Sequence, residues 1–192
     1  MCWRHSVLAP QPRSSLRLWV PYEASPLRLL VRQAWAEGHT VHNHSYSDTR
    51  LTAIPWGQAR QEIDACSLVL KRATGVYPRF LRCPGGHSDA TVREYAQAQG
   101  MICCDDLVTN LFDMDVSAEV IAQRCRERVH PGAILSIHDG VPATLRALPE
   151  MIADLRREGY SFATVEELLS ANWAGGGPPA GAGQTRGEAG RR

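Results

Sequence analysis

Apolar residues recur at helical spacing in five stretches of the chain, and most of these stretches end at a glycine. The first begins after Pro26 and ends at Gly38, and the second covers residues 56–74 before Gly75. Apolar positions three and four apart form one face of a helix, and a glycine just past the last turn commonly ends it. The spacing predicts further helices over residues 90–99, 117–129 and 143–158.

Short apolar runs follow the helices, as expected for alternating strands. These runs are residues 40–41, 79–81, 101–104, 133–137 and 160–165. Strands that alternate with helices favour an α/β fold with parallel strands. The chemistry of such folds gathers at the carboxyl ends of the strands, and His44, Arg82 and His138 stand at or just past the ends of such runs.

The two ends of the chain lack this regularity. Residues 1–25 scatter arginine, proline and serine, and only residues 16–20 suggest a strand. Residues 174–192 combine glycine, proline and alanine with charged residues, so they have little to bury and are expected to form a disordered tail. We therefore expect one domain over residues 26–173, between an irregular N-terminal segment and this tail.

The composition narrows the class of partners. The chain has 192 residues, a hydrophobic content of 44% and a net charge of +1, which suits one globular domain with a buried core. This charge gives no basic field to attract a nucleic acid or an anionic membrane, and no apolar run is long enough to cross a bilayer. The first ten residues have no sustained apolar stretch, so as written they are not a signal peptide.

The six cysteines show neither a C-x-x-C pair nor zinc-finger spacing. Most are flanked by apolar or helix-forming residues, which favours reduced, buried thiols. Cys83 differs from the others because it lies inside a segment that carries candidate site residues.

Candidate chemistry begins in residues 39–48, His-Thr-Val-His-Asn-His-Ser-Tyr-Ser-Asp. Imidazole and carboxylate are ligands that zinc prefers. Two later segments add an arginine and another histidine: residues 82–86, Arg-Cys-Pro-Gly-Gly, and residues 135–139, Leu-Ser-Ile-His-Asp. Together the three segments are parts expected of a metal-dependent hydrolase.

In this order the segments resemble motifs of the polysaccharide deacetylase family, also called NodB-homology or carbohydrate esterase family 4 domains. Residues 39–48 resemble the family motif H-E-I-G-N-H-[ST]-x-x-H, residues 82–86 resemble R-x-P-Y-G, and residues 135–139 resemble a strand that ends in L-x-H-D. The resemblance covers residues 26–169. It implies a distorted (β/α) barrel of parallel strands and the metal-dependent removal of N- or O-acetyl groups from a sugar polymer of the chitin-oligosaccharide or peptidoglycan type.

The resemblance also implies a metal site. His44 and Asp48 would hold a divalent metal, zinc in the first place or cobalt, and the metal would polarise the acetyl carbonyl and activate water. Asp48 stands where the family has a second histidine. Because residues two apart on an extended segment face the same way, His42 is a candidate substitute ligand, with an exposed loop histidine as the alternative.

The remaining roles follow from the same resemblance. His138 would protonate the leaving amine, and Asp113 would tune the acidity of His138. Arg82 would help to line the substrate groove; the alternative is that it forms only a surface salt bridge. Substrate-binding positions are expected at Pro84, Gly85 and Gly86, where a backbone N–H could contribute to an oxyanion hole.

One family motif has no counterpart. The T-F-D-D-G motif carries the base and a metal-ligating aspartate, whereas residues 1–25 contain Glu23 as their only acid. We therefore expect a domain without its first strand–helix–strand unit, an unpaired sheet edge, a weakly held metal and weak or lost activity. The alternatives are a catalytically inactive carbohydrate-binding homologue and a gene fragment. The sugar polymer, the oligomeric state and the localisation stay open, since family members are often exported.

Overall fold

The structure is a computed structural model that describes residues 3–6, 14–17, 27–138 and 140–173. Its strands are β1 (Trp3–Ser6), β2 (Ser14–Arg17), β3 (Thr40–His42), β4 (Phe80–Leu81), β5 (Ile102–Cys103), β6 (Val108–Asn110) and β7 (Ile134–His138). Its α-helices are α1 (Leu27–Ala36), α2 (Trp56–Thr74), α3 (Ala90–Ala98), α4 (Ala118–Arg128), α5 (Pro142–Arg157) and α6 (Val165–Trp173). Within these ranges, no helix is long and apolar enough to span a membrane.

The helices begin and end where local chemistry favours it. Gly75 ends α2 in the left-handed conformation, with φ at 86°, which glycine adopts without the steric cost of a Cβ. Asp89 and Ser117 cap α3 and α4 by accepting backbone N–H bonds from Val92 at 2.9 Å and Val120 at 3.4 Å. The predicted bounds of the first five helices therefore agree with the structure to within a few residues.

The strands form a nearly continuous curved sheet. Five of them follow the order β3-β2-β1-β7-β6, and β4 pairs with β5. A single parallel bridge between Asn43 and Leu81 joins the end of β3 to β4. The predicted α/β barrel is confirmed, although its strands are not all parallel: β1 runs antiparallel to both of its neighbours.

The N-terminal strands correct one expectation. Residues 3–6 and 14–17 lie in the segment expected to be irregular, yet β1 and β2 stand between β3 and β7. They pair where an open sheet edge was expected. Their sequences, Trp-Arg-His-Ser and Ser-Ser-Leu-Arg, are short and mostly polar, so the apolar pattern gives no sign of β1 and indicates β2 only in part, through the strand suggested at residues 16–20. The domain bounds at residues 25 and 174 stay predictions, and residues 174–192 lie outside the described residues.

A second correction concerns residues 160–165, where we expected a strand. Only Phe162 forms a β-bridge there; it is buried in the core, and α6 begins at Val165. Thr164 and Glu167 form a capping box: the Glu167 N–H donates to the Thr164 hydroxyl at 3.2 Å, and the Thr164 N–H donates to the Glu167 carboxylate at 2.7 Å. Threonine followed by glutamate three residues later is a signal for a helix start, which outweighed the apolar run.

Two apolar clusters support the strands that carry the site. One packs α4 and α5 against β7 and includes Ile121, Leu135 and Leu155. The other packs α2 and α3 under the end of β4 and includes Ile63 and Leu81. Each fully buried side chain of this kind contributes roughly 1.5–3 kcal/mol. The ends of β4 and β7 are therefore fixed by packed core on the helix side.

Candidate active site

The chain brings its candidate residues to one edge of the sheet. In the strand register, His42 at the end of β3 and His138 at the end of β7 lie in one row that passes through β2 and β1. The N–H of Arg82, just past β4, donates to the Asn43 carbonyl at 3.0 Å. His44 follows Asn43 directly. The carboxyl ends of β3, β4 and β7 therefore meet at this edge, as the sequence predicts.

His138 is held by a buried carboxylate. Its Nδ1 lies 2.7 Å from Oδ1 of Asp113, and its backbone N–H donates to Oδ2 at 2.8 Å. The Thr144 hydroxyl donates to the same Oδ2 at 2.6 Å. Because an ionised carboxylate can only accept, Nδ1 carries the proton, and proton transfer would take place at Nε2.

The electrostatics of Asp113 suit this arrangement. Burial by itself would raise the pKa of Asp113, but the hydrogen bonds from His138 and Thr144 outweigh it and hold the pKa below its usual value. The carboxylate is therefore ionised at neutral pH. It supplies negative charge beside His138 whenever that imidazole is protonated.

His44 and Asp48 form a separate pair of ligand atoms. Nδ1 of His44 lies 2.5 Å from the Arg82 carbonyl. A carbonyl only accepts, so Nδ1 donates and the neutral ring presents its lone pair at Nε2. That Nε2 lies 3.5 Å from Oδ1 of Asp48. Two hydrogen-bond acceptors at this distance repel each other unless a proton or a cation lies between them.

The spacing of this pair fits one metal ion. Two ligand atoms each about 2.1 Å from a tetrahedral zinc ion lie about 3.4 Å apart, close to the observed separation. The backbone is also unusual here, because Ser45 and Asp48 have φ values of 62° and 57°. Left-handed conformations are uncommon outside glycine and cluster at functional sites.

Asp48 links the metal pair electrostatically to the acid. Partial burial raises the pKa of Asp48, and the positive charge of His138 opposes that shift. His138 is therefore within electrostatic reach of the His44–Asp48 pair. Within the described residues, however, no third histidine, cysteine or acidic ligand atom joins His44 and Asp48.

The expectation that His42 acts as a substitute ligand is not supported. Its Nε2 lies 2.9 Å from Oε1 of Glu166 and 3.1 Å from the Thr40 hydroxyl, and its ring packs edge-on against Phe80. The rule that residues two apart face the same way holds only along a regular strand. β3 ends at His42, so the rule does not reach His44.

Arg82 is buried, and the alternative of a surface salt bridge is wrong. Its side chain is 8% exposed, and Nη1 lies 2.9 Å from Oδ1 of Asp105. The Cys83 N–H donates to the same oxygen at 2.8 Å. Burial would raise the pKa of Asp105, but these two hydrogen bonds help to hold it below its usual value. Asp105 lies 23 residues from Arg82 along the chain, so the sequence gives no means of pairing the two.

Comparison with known proteins agrees with this geometry. A family model described as polysaccharide deacetylase matches residues 21–103. A peptidoglycan-N-acetylglucosamine deacetylase of Bacillus cereus is 24% identical over 147 residues, which cover 74% of this chain and 54% of the relative. The chain is therefore similar to proteins of the polysaccharide deacetylase family.

Two solved structures share the deacetylase fold. A family 4 carbohydrate esterase from Streptomyces lividans, in complex with acetate, is 26% identical, with a TM-score of 0.66 and coverage of 76% of both chains. A mutant of a family 4 pseudoenzyme from Bacillus anthracis, with restored activity, is 25% identical, with a TM-score of 0.68 and coverage of 74% of this chain and 52% of that one. The chain spans about half the length of the curated relatives first matched.

The glycine segment of this deacetylase-like site is shaped around Arg82. A Cβ at Gly86 would lie 2.5 Å from Nη1 of Arg82, and the φ of Gly86 is 74°. The Gly86 N–H donates to the Cys83 carbonyl at 2.8 Å and closes a tight turn. A small cavity of about 40 Å³ opens here; it is lined by His44, Arg82, Cys83, Gly85, Gly86 and Asn110. Pro84 is buried, and the substrate-binding roles of Pro84, Gly85 and Gly86 stay predictions.

Proposed function

We propose that this chain is a metal-dependent, polysaccharide deacetylase-like hydrolase for N- or O-acetyl groups, whose turnover as the chain stands is weak or absent. The observation that carries the proposal is the His138 imidazole held by Asp113 and Thr144, with the His44–Asp48 pair within electrostatic reach. An oriented proton donor at the same edge of the sheet as a pair of metal-type ligands is what hydrolysis of an amide or ester requires.

The roles follow from the contacts. His44 and Asp48 would hold the divalent metal, zinc or cobalt, which when bound polarises the acetyl carbonyl and lowers the pKa of the attacking water. His138 would deliver a proton from Nε2 to the leaving amine or hydroxyl, because Nδ1 is committed to Asp113. Arg82 keeps His44 in its tautomer through its carbonyl and shapes the glycine turn through its side chain.

Two features support weak turnover. A catalytic zinc site usually has three protein ligands, whereas two are gathered here among the described residues. Asp48 faces His44, so using it as the base would remove it from the metal. General base catalysis typically contributes about a hundred- to ten-thousandfold. A chain without a dedicated base should lose a factor of that size.

The second candidate function is a catalytically inactive homologue that binds acetylated polysaccharide. The grouping of only two candidate ligand atoms, His44 Nε2 and Asp48 Oδ1, among the residues that the structure describes favours it. The deacetylase relatives act on peptidoglycan according to their names, and an acetylated polysaccharide is therefore the partner that we propose under either candidate function. Nothing in the charge or helix pattern indicates a nucleic acid or a membrane as the partner.

Acetate release tests the proposal. Acetylated chitin oligosaccharides and peptidoglycan fragments are incubated with the full chain and added zinc or cobalt, beside His138→Ala and the exposed control His130→Ala. We expect release close to background in all three, with any residual turnover lost in His138→Ala alone. Strong turnover that requires His138 would reveal a base, with Glu23, Asp105 and Asp106 as the first to mutate. Residual turnover unaffected by His138→Ala would contradict the proposed acid.

A further inference from the structure

Cys83, Cys103 and Asp105 form a second cluster of ligand atoms, next to Arg82. The two sulfurs and one carboxylate oxygen all lie within 4.8 Å of one another, and the Cys103 sulfur is 3.4 Å from Oδ2 of Asp105. Parallel pairing of β4 and β5 sets Leu81 opposite Cys103, which brings the ends of the two strands together. Cys83 is fully buried, whereas Cys103 is partly exposed and gives access from solvent.

We propose that this cluster binds a thiophilic divalent cation of the zinc type, at a site separate from the His44–Asp48 pair. Thiolate and carboxylate are both zinc ligands. At zinc bond lengths of about 2.3 Å to sulfur and about 2.1 Å to oxygen, tetrahedral geometry sets sulfur and oxygen about 3.6 Å apart and two sulfurs about 3.8 Å apart. The observed separations are compatible with these values, and water completes the fourth position.

The carboxylate is already oriented for this role. Oδ1 of Asp105 accepts from Arg82 Nη1 at 2.9 Å and from the Cys83 N–H at 2.8 Å. Its other oxygen, Oδ2, faces the Cys103 sulfur. Outer hydrogen bonds that fix one oxygen of a ligating carboxylate and leave the other for the metal are typical of built metal sites.

The charges also balance. Two thiolates and Asp105 carry three negative charges, and a divalent cation with the Arg82 guanidinium carries three positive charges. A buried site with unbalanced charge costs several kcal/mol per ion, whereas this set is neutral as a whole. The proposed ion therefore completes an ion-pair network that the chain already contains in part.

Titration of the full, reduced chain with cobalt(II) tests the proposal. A thiolate-to-cobalt charge-transfer band reports sulfur ligation, which the His44–Asp48 pair cannot produce. We expect one equivalent of cobalt to give the band and zinc to displace it. Cys103→Ser and Cys83→Ser should each weaken cobalt binding at this site at least tenfold, about 1.4 kcal/mol. Cys125→Ser, at a buried cysteine outside the cluster, and His44→Ala should leave the band unchanged.

Cys103→Ser is the deciding variant, because Cys103 is partly exposed and its replacement disturbs the core less than that of Cys83. An unchanged band in folded Cys103→Ser would overturn the proposal, as would the absence of a band in the reduced, folded wild type. A Cys83–Cys103 disulfide that persists under reducing conditions would also overturn it. The proposal does not rest on the proposed deacetylase function, so the outcome of the acetate assay leaves it untouched.

Discussion

His138 and His44 stand at the same edge of the sheet, but they differ in what surrounds them. His138 ends a fully buried strand and contacts Asp113, which is 0% exposed and accepts two further hydrogen bonds. His44 lies past the end of β3 and faces Asp48, whose side chain is 34% exposed. The acid half of the site, His138 with Asp113, is therefore part of the core. In the metal half, the His44–Asp48 pair, Asp48 is partly exposed.

This difference indicates at which positions a substitution would also destabilise the fold. Loss of Asp113 would leave buried donors without their acceptor, which costs free energy of unfolding as well as chemistry. A change at Asp48 alters a half-exposed side chain and mainly affects ligation. A chain of this fold can therefore lose metal affinity at little cost in stability, whereas loss of the carboxylate that holds its proton donor also destabilises the fold.

Asp113→Ala gives the largest expected effect. It leaves the His138 backbone N–H, the His138 Nδ1–H and the Thr144 hydroxyl without their buried acceptor, so we expect the free energy of unfolding to fall by about 3–5 kcal/mol. Urea unfolding measures it. Asp106→Ala is the control, because its exposed ion pair with Arg93 should contribute no more than about 1 kcal/mol. Equal losses in the two variants would contradict the structural role of Asp113.

The pH dependence of stability provides a second check on Asp113. Its folded-state pKa is lowered, so its contribution is complete above the unfolded-state value of about 3.9 and is lost as the pH falls through the folded value. Unfolding free energies of the wild type should therefore decline in this acid range. The decline should be shallower in Asp113→Ala, although Asp105, whose pKa is also lowered, still contributes. Parallel curves would contradict this assignment.

Gly86→Ala tests whether the His44–Asp48 pair also depends on the packing of Arg82, whose carbonyl accepts a hydrogen bond from His44. The new Cβ would meet the Arg82 guanidinium at 2.5 Å with φ at 74°. Left-handed strain of about 1–2 kcal/mol and overpacking of about 1–3 kcal/mol predict a loss of about 2–5 kcal/mol. Gly100→Ala is a matched control, with φ at 75° and nothing within 4 Å of the added Cβ. Equal losses would show that Arg82 moves aside freely.

The sequence could predict the α/β frame because helix caps, glycine stops and apolar runs are local signals. It also placed His44, Arg82 and His138 at strand ends, where topology brings them together. It could not show that Asp105 contacts Arg82 or that Thr144 contacts Asp113, because these partners are 23 and 31 residues apart.

The same limit applies to the cysteines, whose spacing is unlike that of known metal motifs. Cys83 and Cys103 meet through the pairing of β4 with β5, and each of these strands has two residues. Spacing rules describe ligands that are close along the chain. They do not describe ligands that adjacent strands bring together.

Asp48→His restores the histidine of the family motif and should strengthen metal binding at the His44–Asp48 pair. We expect zinc affinity to increase roughly tenfold, about 1.4 kcal/mol, because neutral imidazole suits zinc better than a lone carboxylate in this pair. Calorimetric titration is done in a Cys103→Ser background, which weakens competing thiolate ligation, and His44→Ala in that background should abolish the site. Affinity that does not increase would mean that Asp48 does not point at the metal.

His42→Gln should produce the smallest effect on the metal half. Nε2 of His42 lies beside Glu166, and burial would raise the pKa of Glu166 whereas the hydrogen bond from His42 lowers it. Glutamine can still donate to Glu166, so the variant should fold. In the Cys103→Ser background we expect zinc affinity within about twofold of the parent, roughly 0.4 kcal/mol, whereas His44→Gln loses it. A tenfold loss in His42→Gln would mean that His42 leaves Glu166 and ligates the metal together with His44 and Asp48.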